Sequence, residues 1–321
     1  MATQLEVPTI SLDRDPAAVG REIDEVLRTV GFFQVVDHGV SDAVADRCWQ
    51  LTRAFFDLPL DDKMPIARAE GGQFGYFPML AESLANSLDA MDKGDLKESL
   101  NVSGGLAVGH TPVDATEASL FAVPRWPEAL PGLQPAWQAY IGEMRTLADR
   151  LLSIFALGLG LPAEYFADKV DRAPVSQRAI NYPEQDTAPD EGVLRAGAHT
   201  DYGTLTILRQ ELGRGGLQVH DPKTDAWIDI PSTPGALVIN IGDLMARWTN
   251  DRWTSTLHRV INPDVGEQKS NRRQSMPFFH NANYSQVVEC LPNCEGPNGE
   301  RRYAPVLAGP HLIEKATKAV A

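Results

Sequence analysis

Residues 197–208 read GAHTDYGTLTIL. His199 and Asp201 stand two apart there, and Thr204, Leu205, Thr206, Ile207 and Leu208 follow as an apolar, β-branched run of the kind that forms a strand. Side chains two apart on a strand project to one face, so an imidazole and a carboxylate so placed are able to share one ion. The pair alone decides nothing: with 7 His and 43 acidic residues among 321, such a spacing is expected by chance. The bland alternative is two polar residues beside a turn.

The surrounding texture is that of an antiparallel β protein. After Ala173, the segments RAIN, TLTIL, GLQVH, AWIDI, ALVINI, TLHRVI and QSMPFF recur at intervals of roughly ten residues between turn signals, the spacing of a sandwich or barrel. DPKTD supplies a hairpin turn between GLQVH and AWIDI, and PSTPG another turn before ALVINI. Before Ala173 the chain mixes helices with short strands. Asp15 and Pro16 open a helix whose apolar stripe is Val19, Ile23, Val26, Leu27 and Val30, and Gly31 ends it. FFQVV reads as a strand, and Ser41 caps a second helix that turns Val44, Cys48, Leu51 and Phe55 inward. A third helix is expected at about 135–157, where Trp137, Tyr140, Ile141, Met144, Leu147, Leu151 and Phe155 make one stripe. From Gly71 to Gly105 the pattern is irregular and rich in Gly and aromatics, so it reads as loop lying over something. The tail HLIEKATKAVA reads as a short, fraying helix.

Composition narrows the class. Hydrophobic residues make up 43% and charged residues 22%, with no apolar run long enough to span a bilayer and no basic-then-apolar leader at the start. A net charge of −14 disfavours phosphate backbones and anionic membranes, which require a basic face. The expectation is a soluble cytoplasmic protein with neither nucleic acid nor membrane as partner and with no signal for oligomeric state. Three cysteines, Cys48, Cys290 and Cys294, form no zinc-ribbon spacing and fit free thiols in a reducing compartment, a metal or redox role for the last two being the alternative.

Two further features join the opening pair. His258 in STLHRVI lies in a later strand, where a histidine beside Leu257 and Val260 would otherwise be half buried without a partner. Two imidazoles and one carboxylate on one side of a metal leave positions open opposite them, as non-haem Fe(II) oxygenases require. Further on, Arg273 and Ser275 again stand two apart. A guanidinium fork with a hydroxyl beside it suits a carboxylate, because it offers charge-assisted hydrogen bonds in fixed geometry.

HxD, a later strand histidine and RxS, carried here by His199, Asp201, His258, Arg273 and Ser275, make the chain resemble the isopenicillin N synthase-like branch of the Fe(II)/2-oxoglutarate-dependent oxygenases. The likeness extends to VPTISL, GFFQVVDHGV, INYPEQ and PGALVINIGDLMARWTNDRWTSTLHRVI, so it covers nearly the whole chain. It implies a mainly β fold with flanking helices around a distorted double-stranded β-helix, or jelly roll. The whole of 1–321 would be one oxygenase unit: a mixed α/β region at 1–110, helical support at 111–172, the jelly-roll core at 173–290 and a tail at 291–321. It implies His199, Asp201 and His258 as catalytic Fe(II) ligands, Arg273 and Ser275 on the far carboxylate of 2-oxoglutarate, and Tyr182 hydrogen-bonding the co-substrate carboxylate. O2 would be consumed, and ascorbate would serve as reductant in vitro. Many relatives carry an aromatic or His before the Tyr-Pro, and this chain carries Asn181, whose role stays open. Phe74, Tyr76, Met245 and Arg247 are the substrate-pocket candidates.

The implied activity is oxidation of a small organic molecule by hydroxylation, desaturation or ring closure, coupled to conversion of 2-oxoglutarate to succinate and CO2. Two alternatives stay open on sequence. Isopenicillin N synthase and the plant ethylene-forming oxidase carry RxS without using 2-oxoglutarate, although KATKAVA lacks the synthase's near-terminal glutamine. A jelly roll could also bind a small ligand without catalysis, or hold zinc, which in a structural site wants a fourth protein ligand.

Overall fold

The computed structural model describes residues 6–82, 95–187, 189, 193–263 and 271–320. Part of the irregular stretch between Gly71 and Gly105 falls outside these. Among the described residues, two facing sheets and eight α-helices form the body, with no closed barrel.

The larger sheet has eight strands. In chain order they are β1 (Thr9–Ser11), β2 (Phe32–Val36), β3 (Gly75–Phe77), β4 (Glu98–Ser103), β5 (Val175–Tyr182), β7 (Leu205–Gln210), β10 (Leu237–Ile241) and β12 (Arg273–His280). In space their order is β1-β2-β10-β7-β12-β5-β4-β3. The smaller sheet runs β6-β11-β8-β9, from β6 (Ala196–His199), β8 (Leu217–Asp221), β9 (Ala226–Asp229) and β11 (His258–Val260). β13 (Val287–Val288) and β14 (Val306–Leu307) pair separately.

Strand parity decides what each face meets. On β12, Met276 and Phe278 join the core under the helices, whereas Arg273, Ser275, Pro277 and Phe279 turn to the space between the sheets. β5 repeats this, with Val175 and Ala179 in the core under the helices and Ile180 and Tyr182 between the sheets. The helical face is closed by α1 (Pro16–Leu27), α2 (Asp42–Phe56) and α5 (Leu133–Gly158), the last starting two residues before the expected position. Asp15 and Ser41 accept from Ala18 N and Val44 N as expected caps. Trp137, Tyr140, Met144, Leu147, Leu151 and Phe155 are all buried on one stripe of α5. α3 (Leu60–Lys63), α4 (Ala115–Ser119) and α6 (Ala167–Val170) are single turns, while α7 (Asp243–Trp248) and α8 (Ala308–Val320) lie near the site.

Two expectations are corrected. The segment after Gly71 is not all loop: β3 and β4 extend the large sheet past β5. ESLNVS hides its strand because Glu98, Ser99 and Ser103 are polar yet buried, so no alternation shows. Glu98 accepts from Lys63 Nζ, Tyr76 Oη and Asn181 Nδ2, and Asn181 Oδ1 accepts from Arg272 Nε, which gives Asn181 a place in a buried polar chain. The tail is also more than a fraying end, since α8 begins at Ala308 and brings Leu312 and Ala316 to the central cavity.

Candidate active site

β6 and β11 are antiparallel neighbours, with His199 directly opposite His258. Their rings lie 4.3 Å apart between centroids. Each ring is held by its Nδ1, which donates to a carbonyl two residues earlier: His199 to Gly197 O at 2.8 Å and His258 to Thr256 O at 3.1 Å. That leaves both Nε2 atoms as lone-pair donors, the tautomer that a metal ligand needs.

Asp201 arrives differently from the expectation. β6 ends at His199, so Asp201 stands in the following loop and does not share a strand face with it. The loop is folded back by the start of α7: Asp243 N donates to Asp201 O at 2.8 Å, Leu244 N to Tyr202 O at 3.2 Å and Gly242 N to Thr204 O at 3.2 Å. Two glycines permit this approach. A Cβ on Gly242 would lie 2.4 Å from Gly203 O, and one on Gly203 would lie 2.3 Å from His280 O.

Asp201 Oδ2 accepts from Thr206 Oγ1 at 2.6 Å and Asn240 Nδ2 at 2.7 Å. Its Oδ1 lies 3.9 Å from His258 Nε2. Burial raises the Asp201 carboxyl, but the two imidazoles and these hydrogen bonds outweigh it and hold the group below its usual value. Burial, followed by the neighbouring His258, pushes the His199 imidazole down, so it stays neutral. The ligand atoms of His199, Asp201 and His258 all lie within 4.8 Å of one another, the only such cluster among the described residues. Two imidazole nitrogens with one carboxylate oxygen fit Fe(II) and leave coordination positions open. Thr206 and Asn240 escaped the sequence reading, although an asparagine inside the apolar run ALVINI is the signal that could have found one of them.

Arg273 faces Tyr182 across β12 and β5, its guanidinium carbon 5.1 Å from the tyrosine ring. It is 1% exposed. Nη2 donates to Gln210 Oε1 at 3.3 Å, while Nε and Nη1 are buried with no hydrogen-bond partner among the described residues. Burial lowers its pKa, and no carboxylate of the described residues pairs with it directly. Ser275 stands two residues on, on the same face. A buried guanidinium with donors to spare, on the same cavity as the triad, fits the far carboxylate of a small dicarboxylate.

All six of these residues line one cavity of about 210 Å³. Phe74 lines it too. The other three substrate candidates do not: Tyr76 is buried against Phe55 with its hydroxyl on Glu98, Met245 is wholly in the core, and Arg247 donates to Ala304 O beside the Tyr303 ring. The sequence reading missed Asn101 and Arg178, which stand opposite each other on β4 and β5 and line the cavity. Of the remaining histidines, His38, His110, His220 and His280 each have a hydrogen-bond partner, whereas His311 Nε2 is buried without one among the described residues. The cysteines are free, and burial pushes Cys48 up to about 12 and Cys294 up to about 11, so neither is a ready nucleophile.

Comparison with known proteins agrees with this geometry. Residues 7–129 match the non-haem dioxygenase in morphine synthesis N-terminal family, and residues 174–282 match the 2OG-Fe(II) oxygenase superfamily. The "2-oxoglutarate-Fe(II) type oxidoreductase hxnY" of Emericella nidulans is 32% identical over 300 residues, covering 91% of this chain and 83% of that protein. "Homoarginine-6-hydroxylase 2-ODD-233" of Oryza sativa subsp. japonica is 29% identical over 321 residues, covering 97% and 92%. The structure of a full-length Neurospora crassa protein in complex with alpha-KG and thymine superposes with a TM-score of 0.83 at 26% identity, covering 98% of each chain. The chain belongs to the 2OG-Fe(II) oxygenase superfamily. It is an oxidoreductase that couples 2-oxoglutarate decarboxylation to oxidation of a small organic molecule, using Fe(II) and O2. Its core is the jelly roll of that superfamily. Among the described residues, no helix is long and apolar enough to cross a membrane.

Proposed function

We propose that His199, Asp201 and His258 hold the Fe(II), that Arg273 and Ser275 take the distal carboxylate of 2-oxoglutarate with Tyr182 beside them, and that the primary substrate occupies the rest of the same cavity. The observation that carries this is the Arg273 guanidinium, buried with two unpaired nitrogens on a cavity it shares with the triad. Bound there, Fe(II) supplies O2 activation, and 2-oxoglutarate supplies the electrons that succinate and CO2 formation release. The chain's own residues hold both imidazoles through their Nδ1 atoms, keep Asp201 ionised through Thr206 and Asn240, and exclude water from the carboxylate contact.

The substrate lobe is bounded by Phe74, Phe77, Asn101, Arg178, Phe279 and Leu312. Aromatic walls with a few polar groups suit a small, partly planar molecule that carries hydrogen-bonding atoms. The size of the cavity and the net charge of −14 argue against nucleic acid or an anionic membrane as partner, and the three free thiols fit a reducing cytoplasm. Incubation with Fe(II), 2-oxoglutarate, ascorbate and a panel of small metabolites tests the reading. Succinate should form, faster with a true substrate, and should vanish in His199→Ala; succinate formation that survives His199→Ala would refute the ligand assignment.

A further inference from the structure

Asp243 is in the first turn of α7, where an acid ordinarily complements the helix dipole. Its side chain does something else. Oδ1 accepts from Ser255 Oγ at 2.7 Å, and Oδ2 accepts from Thr200 Oγ1 at 3.2 Å and from Lys315 Nζ at 3.0 Å. All three contacts reach outside α7, to segments far apart in sequence. Thr200 lies between His199 and Asp201. Ser255 precedes Thr256, whose carbonyl orients His258. Lys315 is on α8, three residues after Leu312 and one before Ala316, the two residues by which α8 walls the cavity. Asp243 itself lines no part of the cavity and belongs to no ligand set.

We infer that Asp243 is a positioning residue that fastens both metal-ligand segments to the helix closing the substrate lobe, so that loading the metal site orders α8. A carboxylate shared by Thr200 and Lys315 links the Asp201 loop to α8 directly, and its main-chain amide grips the same loop through Asp201 O at 2.8 Å. When the metal fixes His199, Asp201 and His258, Thr200 and Ser255 are fixed with them, and Asp243 then presents a settled partner to Lys315. The first turn of α8 is fixed by Ala308 in the main core and by Ala308 N to Gln286 O and Gly309 N to Tyr284 O, both at 2.9 Å. Beyond it, Leu312 and Ile313 rest on a small apolar cluster with Leu120, Phe121 and Tyr284, and Lys315 adds the tie to Asp243. The substrate wall is therefore completed once the metal is in place. This inference rests on the assignment of the triad as the metal site.

Hydrogen–deuterium exchange on the full chain tests it, with Mn(II) and 2-oxoglutarate under nitrogen as the probe. In the wild type the probe should slow exchange of residues 308–317 by about threefold or more. Lys315→Gln should bind Mn(II) within about threefold of wild type yet lose that slowing, and Lys315→Arg should restore it. Asp243→Asn should lose the slowing and also weaken Mn(II) by about tenfold, as supporting contacts to metal ligands do. Exchange of α8 that ignores the probe in the wild type, or that slows equally in Lys315→Gln, overturns the coupling while leaving the metal site intact. Failure of the wild type to bind Mn(II) overturns the site assignment itself.

Discussion

Arg273 shows how much a single residue gives up for function. Burying a guanidinium with two unpaired nitrogens costs free energy that a carboxylate returns only on binding, so the site is built for a ligand rather than for stability. His280 makes the opposite use of burial. Its Nδ1 shares a hydrogen bond with Thr204 Oγ1 at 2.9 Å, and burial, followed by the Arg145 charge, pushes its imidazole down to about 3. An unfolded histidine takes a proton near pH 6.5. Between pH 6.5 and about 3 the unfolded state therefore holds one more proton than the native state at this residue. The stabilisation is full above the unfolded value and is lost as pH falls, with a slope of up to ~1.4 kcal/mol per pH unit. Urea midpoints of the metal-free protein from pH 7 to 4 should fall more steeply in the wild type than in His280→Gln. Parallel curves would show that His280 contributes no such linkage.

At the scale of elements, the site depends on three pieces meeting: the end of β6, the start of β11 and the N-terminus of α7. Gly203 and Gly242 are back to back where α7 grips the Asp201 loop. Gly203→Ala should push that loop away from His280 O, costing ~1–3 kcal/mol as an overpacked contact and lowering Fe(II) affinity more than 2-oxoglutarate affinity. Equal Fe(II) affinity in Gly203→Ala, measured by competition with a chelator, would contradict this account. The pieces differ in how visible they are in sequence. His258 stands out because it is polar among apolar strand neighbours, Arg273 and Ser275 stand out by their spacing of two, and short apolar and β-branched segments at regular intervals announce the sheet. The Asp201 loop does not, because its position comes from long-range amide contacts to α7 that no local pattern encodes. β4 is hidden because it is buried with polar residues on both faces, and α8's place at the cavity comes from tertiary packing and the Lys315 ion pair.

At the scale of the whole molecule, N-terminal and C-terminal parts share one sheet, and buried polar links cross between them. Asp24 on α1 accepts from Arg28, Arg252 and Trp253, and the last two belong to the stretch leading to His258. Burial raises the Asp24 carboxyl, but the Arg252, Arg28 and Trp253 hydrogen bonds hold it below its usual value. Asp24→Ala would leave Trp253 Nε1 without its acceptor and Arg252 with only Asn293 O, and in this part-exposed cluster should cost ~1–3 kcal/mol. Calorimetry should show a single transition at lower temperature; an unchanged Tm would mean that the two parts do not depend on this link. The central claim is that one cavity joins the metal triad to the Arg273 clamp. Its most direct test is an oxygen-free titration of the Fe(II)-loaded protein with 2-oxoglutarate, followed by the visible charge-transfer band. The wild type should saturate at one 2-oxoglutarate per chain. Arg273→Gln should keep its iron and shift half-saturation upward by at least about thirtyfold, the ~2–5 kcal/mol of a broken buried charge pair. Equal half-saturation in the two proteins would contradict the claim.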